Sequence, residues 1–114
     1  MRITFYGDML EETRELLKAV GKERNHKVVD FDADVIFMIA FPQNMSLVRQ
    51  AARKASNAIE RPVLMLNVTM LKSDEMRELF KTRKVMDIVD CPYSSEATHR
   101  LFSALEKGNT GDLP

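Results

Sequence analysis

The stretch Ala33 to Pro42, Ala-Asp-Val-Ile-Phe-Met-Ile-Ala-Phe-Pro, constrains the fold more than any other part of the chain. Seven consecutive apolar residues, Val35 to Phe41, stand between Asp34 and Pro42. A run this short and this uniformly apolar reads as a strand buried on both faces, as in the middle of a parallel sheet. Proline has no N–H for the ladder and fixes its own φ, so Pro42 closes the strand. In open parallel sheets the working site lies along the carboxyl ends of the strands. Here Ile39 to Gln43 would face that edge, and Ile, Ala, Phe and Pro offer little to chemistry.

The flanking pattern alternates. Arg2–Tyr6 reads as a first strand, rich in β-branched and aromatic residues. Gly7-Asp8 reads as a turn, with Asp8 as helix N-cap. From Met9 to Glu23 the apolar positions Leu10, Leu16, Leu17 and Val20, with Thr13, recur at helical spacing. Acids crowd the first turns and Lys22 and Arg24 the last, which suits the helix dipole. Lys27–Phe31 reads as a short second strand. Asn44 or Ser46 can cap a helix from Met45 to Ile59, with Val48, Ala51, Ala52 and Ala55 inward. Val63–Leu66 is a further buried strand introduced by Arg61-Pro62. A helix from Asp74 to Arg83, started by Ser73, carries the stripe Met76, Leu79 and Phe80. Val85–Val89 is a last, mixed strand. Pro92 separates it from a helix over Ser95–Lys107, with Ala97, Leu101, Phe102 and Leu105 inward and Gly108 as its stop.

Strands alternating with helices imply an α/β fold: a mostly parallel, doubly wound sheet of four to five strands with helices on both faces. The expected organisation is a single domain over residues 1–108, followed by a tail or linker over Asn109–Pro114. One local fact disturbs the pattern. Only Asp32, Ala33 and Asp34 separate Phe31 from Val35, whereas a crossover between parallel strands takes about a dozen residues. The helix between the second and third strands is therefore missing. Lys27–Phe31 either pairs antiparallel or is a short extended link; a shortened, irregular edge fits best.

Charge and composition remove several function classes. Seventeen basic and seventeen acidic side chains cancel, so no global field draws the chain to nucleic acid or an anionic membrane. Arg49, Arg53 and Lys54 read as a solvated helix face. No apolar run approaches the ~20 residues of a membrane span. With no visible signal peptide, a cytoplasmic location is expected. Cys91, the single cysteine, excludes an internal disulfide and any multi-cysteine metal site.

Familiar chemistry is also missing. A phosphate loop after the first strand would need glycines that let backbone N–H groups approach an anion. The sequence there is Tyr6-Gly7-Asp8-Met9-Leu10, one glycine followed by an acid. His26-Lys27-Val28-Val29-Asp30 resembles the second strand of nucleotide-binding domains, but without the glycines it carries little. Cys91 precedes a helix, where a thiolate can be stabilised. A phosphatase loop would put arginine at position 97, which is Ala97, so Cys91 reads as structural. His99 beside Arg100 suits a contact surface or an exposed helix face. Eight methionines are many for this length; Met38, Met65, Met70 and Met76 fit core filling or an adaptable contact.

From Asp34 to Lys107 the chain resembles the receiver domain of response regulators, the flavodoxin-like phospho-acceptor module of two-component signalling. Asp34-Val-Ile-Phe-Met with Pro42 is similar to that family's phospho-acceptor strand and following proline. Arg61-Pro62-Val63-Leu64-Met65-Leu66 is similar to its fourth strand, and Asp87-Ile-Val-Asp-Cys-Pro92 to its closing motif. The resemblance places a degenerate phospho-acceptor site at Gly7, Asp8, Ile39, Asn67 and Cys91. Ile39 stands where the family has its reactive aspartate, and Cys91 where it has lysine. Phosphoryl transfer to aspartate needs a carboxylate nucleophile, acids for Mg²⁺ and a cation for the acyl phosphate. The resemblance thus implies a pseudo-receiver that is not phosphorylated, is not an enzyme and takes no cofactor. It implies signalling or transcription control through a protein partner, an effector domain or a second copy of the chain. The contact face would carry Met76, Phe80, Lys81, Tyr93, His99 and Arg100. The rival reading is a small flavodoxin- or Rossmann-like ligand or nucleotide binder with a pocket at Asp8, Phe41, Gln43, Asn67, Thr69 and Cys91. Direct nucleic-acid contact has no basic balance or recognition helix to support it.

Overall fold

The computed structural model describes residues 1–40, 45–67, 71–82 and 84–108. Strands β1 (Arg2–Phe5), β2 (Lys27–Val28), β3 (Val35–Ala40), β4 (Val63–Asn67) and β5 (Val85–Asp90) form a single sheet in the order β2-β1-β3-β4-β5. Every neighbouring pair is parallel. Helices α1 (Glu11–Glu23), α2 (Met45–Ile59), α3 (Ser73–Lys81) and α4 (Ser95–Glu106) connect or close the strands. This is the flavodoxin-like, receiver-like arrangement expected from the sequence. Asn44, Pro42, Met70, Arg83 and the tail from Asn109 lie outside the described residues.

The central run is what holds the layers together. Val35, Phe37 and Ile39 of β3 pack into one apolar cluster with Leu17 and Val20 of α1 and Phe102 and Leu105 of α4. Ile36 and Met38 point the other way, into a cluster with Val48, Ala52 and Ala55 of α2 and Leu79 of α3. None of these five strand residues is more than 6% exposed. A strand with β1 on one side and β4 on the other has to be apolar on both faces, and this one is. Phe102 anchors the first cluster, with its ring 5.9 Å from Phe37 and 5.2 Å from His26.

The expected antiparallel pairing of Lys27–Phe31 is not found, and neither is an unpaired link. The segment is a parallel member of the sheet, cut to two residues. The register explains how so short a return suffices. Ile3 is level with both Val28 and Val35, so β2 and β3 flank it at the same height. Two residues of strand climb only ~7 Å, which leaves little to descend before β3 begins. Residues 29–34 make that descent and pass β1, with Asp32 in the left-handed region at φ 57°. Asp34 locks the end: its N–H donates to the Arg2 carbonyl, and its Oδ2 accepts from the Arg2 N–H at 2.8 Å.

Some element ends differ from expectation. α1 starts at Glu11 behind Leu10, with no side-chain cap, so Asp8 is an exposed turn residue and not its N-cap. Leu10, expected inward, is 60% exposed because it precedes the first turn. Ser46 sits inside α2 and not at its cap. Ser94 caps α4, its Oγ accepting from the Ala97 N–H at 3.1 Å. Arg49 is drawn to Glu78 of α3 at 2.9 Å, while Arg53 and Lys54 stay exposed as expected. No helix among the described residues is long and apolar enough to cross a membrane.

Truncating Phe102 tests the first cluster. Phe102→Ala is expected to cost about 3–5 kcal/mol in urea unfolding, enough to leave a small domain marginal.

Candidate functional site

The strands run parallel, but the order in which the chain adds them switches direction between β1 and β3, and sheets of this kind place their sites at the carboxyl ends beside such a switch. The residues expected at that edge come from four strands. Gly7 follows β1 with φ 77°, and Asp8 after it is exposed. Ile39 lies on β3, level with Leu66 of β4. Asn67 ends β4, and its carbonyl accepts from the Cys91 N–H at 3.0 Å. The backbone therefore does bring the expected positions to one edge. Their side chains divide between two environments. Ile39 and Cys91, 4% and 3% exposed, belong to the apolar cluster under α1 and α4. Asp8 is turned to solvent and Asn67 is half-buried.

Cys91 is held in that apolar layer. Its Sγ lies 3.9 Å from Thr13 Oγ1 of α1 and 3.9 Å from the Pro92 carbonyl. Burial pushes its thiol above the ordinary value, and the bond to Thr13 opposes this only in part. A thiol kept protonated and covered is a poor nucleophile. His99, the nearest candidate base in the sequence, is engaged elsewhere. The structural reading of Cys91 follows from this geometry.

Asn67 is the unusual member. Its Oδ1 is buried with no hydrogen-bond partner among the described residues. An unmatched buried acceptor costs on the order of 1–3 kcal/mol, so it marks a place where a donor would be welcome. Phe41, Gln43 and Thr69, the remaining residues expected around such a pocket, lie outside the described residues. A magnesium ion needs several oxygen donors in near-octahedral array. Gly7, Ile39 and Cys91 supply no side-chain oxygen, so Asp8 and Asn67 alone do not fit it. Among the described residues no three His, Cys, Asp or Glu side chains converge in a metal-binding arrangement.

The expected contact face is assembled only in part. Met76 and Phe80 are half-buried on α3 and line a shallow apolar groove with Ser73, Arg77 and Lys81. Tyr93 is 71% exposed at the turn into α4. Arg100 is exposed and reaches Glu96 at 3.1 Å. His99 does not belong with them. It points across to α1, where Arg24 Nη1 donates to its Nδ1 at 3.2 Å and Glu23 lies 3.4 Å from its Nε2.

That contact is part of a polar clamp between α1 and α4. Arg24 holds Glu106 through two bonds, Nε to Oε2 at 2.8 Å and Nη2 to Oε1 at 2.6 Å. His26 Nε2 lies 2.7 Å from Glu106 Oε2. Arg24 first, then His26, hold the Glu106 carboxyl down at about 2. Nothing local in the sequence signals this clamp, because Arg24 and Glu106 are 82 positions apart.

No protein-family model and no curated protein matches the chain. Among solved structures, the chain is similar to the solution structure of a response regulator protein from Burkholderia multivorans. The two share 16% identity with a TM-score of 0.58, over 92% of this chain and 94% of that one. The likeness is one of fold.

Two measurements follow from this geometry. Glu106 is depressed in the folded state, so its contribution is complete above its ordinary value of 4.5 and is lost as pH falls toward about 2. Glu106→Gln should flatten the stability profile of the domain across that acid window. Alkylation of Cys91 in the folded domain should be at least roughly tenfold slower than in the urea-unfolded chain, because both thiolate fraction and access are reduced.

Proposed function

We propose that this domain is a receiver-like regulatory module that works by contact with another protein and does not accept a phosphoryl group. The observation that carries this reading is the aliphatic side chain of Ile39, buried in the same apolar cluster as Cys91 where a reactive carboxylate and its cation would be required. An alkyl group cannot attack phosphorus, and a buried neutral thiol cannot balance an acyl phosphate. What is left is a parallel scaffold with an apolar groove on α3. Such folds hold their sites in loops and faces, so losing the reactive groups leaves recognition as the remaining use.

The contact face of this reading is the groove of Met76 and Phe80 with Lys81, together with Tyr93 and Arg100 across β5. Large amphipathic and flexible apolar side chains suit an adaptable contact. The partner is an effector domain, a separate regulatory protein or a second copy of this chain, in a cytoplasmic signalling or transcription-control setting. Light scattering after size exclusion separates the homodimer from the other two.

The direct test is incubation of the full chain with acetyl phosphate and Mg²⁺, read by intact mass. The expected spectrum is unchanged, and a stable acyl phosphate on this chain would overturn the proposal. The orphaned Asn67 Oδ1 supports a second reading, a small-ligand binder at the carboxyl edge. Thermal shift against nucleotides and flavins separates the two: stabilisation that disappears in Asn67→Leu favours the ligand, and no shift favours the contact module.

A further inference from the structure

Asp87 is a buried acid without a counter-ion among the described residues. Its side chain is 1% exposed. Oδ1 accepts from the N–H of the next residue, Ile88, at 2.8 Å, and Oδ2 is buried with no hydrogen-bond partner. The register tells which layer it occupies. Asp87 is level with Leu64 and Val89 with Leu66, and Leu64, Leu66 and Val89 all belong to the α1–α4 cluster. Asp87 therefore lies on the face of the sheet that α1 and α4 cover, on the strand at its rim. An extra residue puts it there: Val63 is level with Val85 but Leu64 with Asp87, so Met86 is bulged. In a regular ladder Met86 would oppose Leu64, and Asp87 would turn to the other layer.

No cation faces it. β4 from Val63 to Asn67 carries no ionisable group. On α4, Glu106 and His99 are committed to the α1 side, Arg100 pairs with Glu96 in solvent, and Lys107 is exposed. The charges of α3 serve the opposite layer, with Glu78 on Arg49 and Lys81, Glu75 on the Lys72 N–H and Asp74 near Arg77. On the β5 segment itself Asp90 is exposed, Lys84 precedes the strand, and Cys91 is a neutral thiol of the same apolar layer. Transferring an ionised carboxylate into such a place is costly, so burial favours the protonated form.

We propose that Asp87 is a protonation-operated latch between β5 and α4: the protonated carboxyl lets α4 seat on the sheet, and the ionised one favours its release. Burial pushes this carboxyl above its ordinary value of 3.8, with the Ile88 N–H pulling weakly the other way. A folded state that holds its proton more tightly than the open state is most stable below the ordinary value. It loses that stability as pH rises through the folded-state value. The linkage runs both ways, so anything that lifts α4 releases a proton. The latch stands whether or not the Met76–Tyr93 face has a partner.

The test is hydrogen exchange of the α4 amides in the full chain, expressed as protection factors, for wild type and Asp87→Asn. Wild-type protection should fall with rising pH, by up to about tenfold per pH unit while one carboxyl titrates, and then level off. Asp87→Asn, which keeps the shape and cannot ionise, should show no such fall, and the gap between the two denaturation midpoints should widen with pH. Identical pH profiles would overturn the latch. Should the variant fail to fold, an NMR titration of the wild-type Asp87 carboxyl decides: a value above that of an exposed aspartate supports the latch, and one at or below it refutes it.

Discussion

Everything else in this domain rests on the burial of one strand from both sides. Val35, Phe37 and Ile39 against α1 and α4, with Ile36 and Met38 against α2 and α3, couple two helical layers that otherwise touch different sheet faces. At roughly 1.5–3 kcal/mol for each large apolar side chain removed from water, β3 alone contributes on the order of 10 kcal/mol before chain entropy opposes it. A polar group anywhere in that run would face this layer or its opposite. The same requirement that makes β3 a good centre makes its carboxyl end poor in reactive groups.

The carboxyl edge thus splits into an apolar half and a polar half. Ile39 and Cys91 continue the apolar cluster toward the carboxyl edge. Of the expected site residues that are described, the polar side chains are Asp8, after β1, and Asn67, at the end of β4. A likeness of fold to a response regulator does not by itself carry that protein's chemistry, because a scaffold and the chemistry mounted on it vary separately.

Much of the fold was legible in the sequence, because periodicity carries it. The uniform run at Val35–Phe41 and the helical stripes of α1, α2 and α4 have no other good reading. The short link before β3 was legible as a missing helix, but not as a parallel pairing. That depended on Val28 and Val35 meeting Ile3 at one height, a tertiary fact. At the site, Cys91 could be read as non-catalytic from its lack of a base, but its burial under α1 is a tertiary fact. His99 was misplaced because a helical position says which residues share a face, not which neighbour that face meets. The burial of Asp87 was out of reach for a sharper reason: one bulged residue, Met86, inverts the alternation that sequence reasoning relies on.

The clamp of Arg24, His26 and Glu106 has a geometrical consequence for the whole molecule. It pins the last turn of α4 beside the start of β2, at the amino ends of the strands. Tyr93 and the turn into α4 lie at the other end. Gly108 therefore leaves the body at the pole opposite Tyr93, so a domain tethered there and a protein docked at Tyr93 could be held together without competing for space.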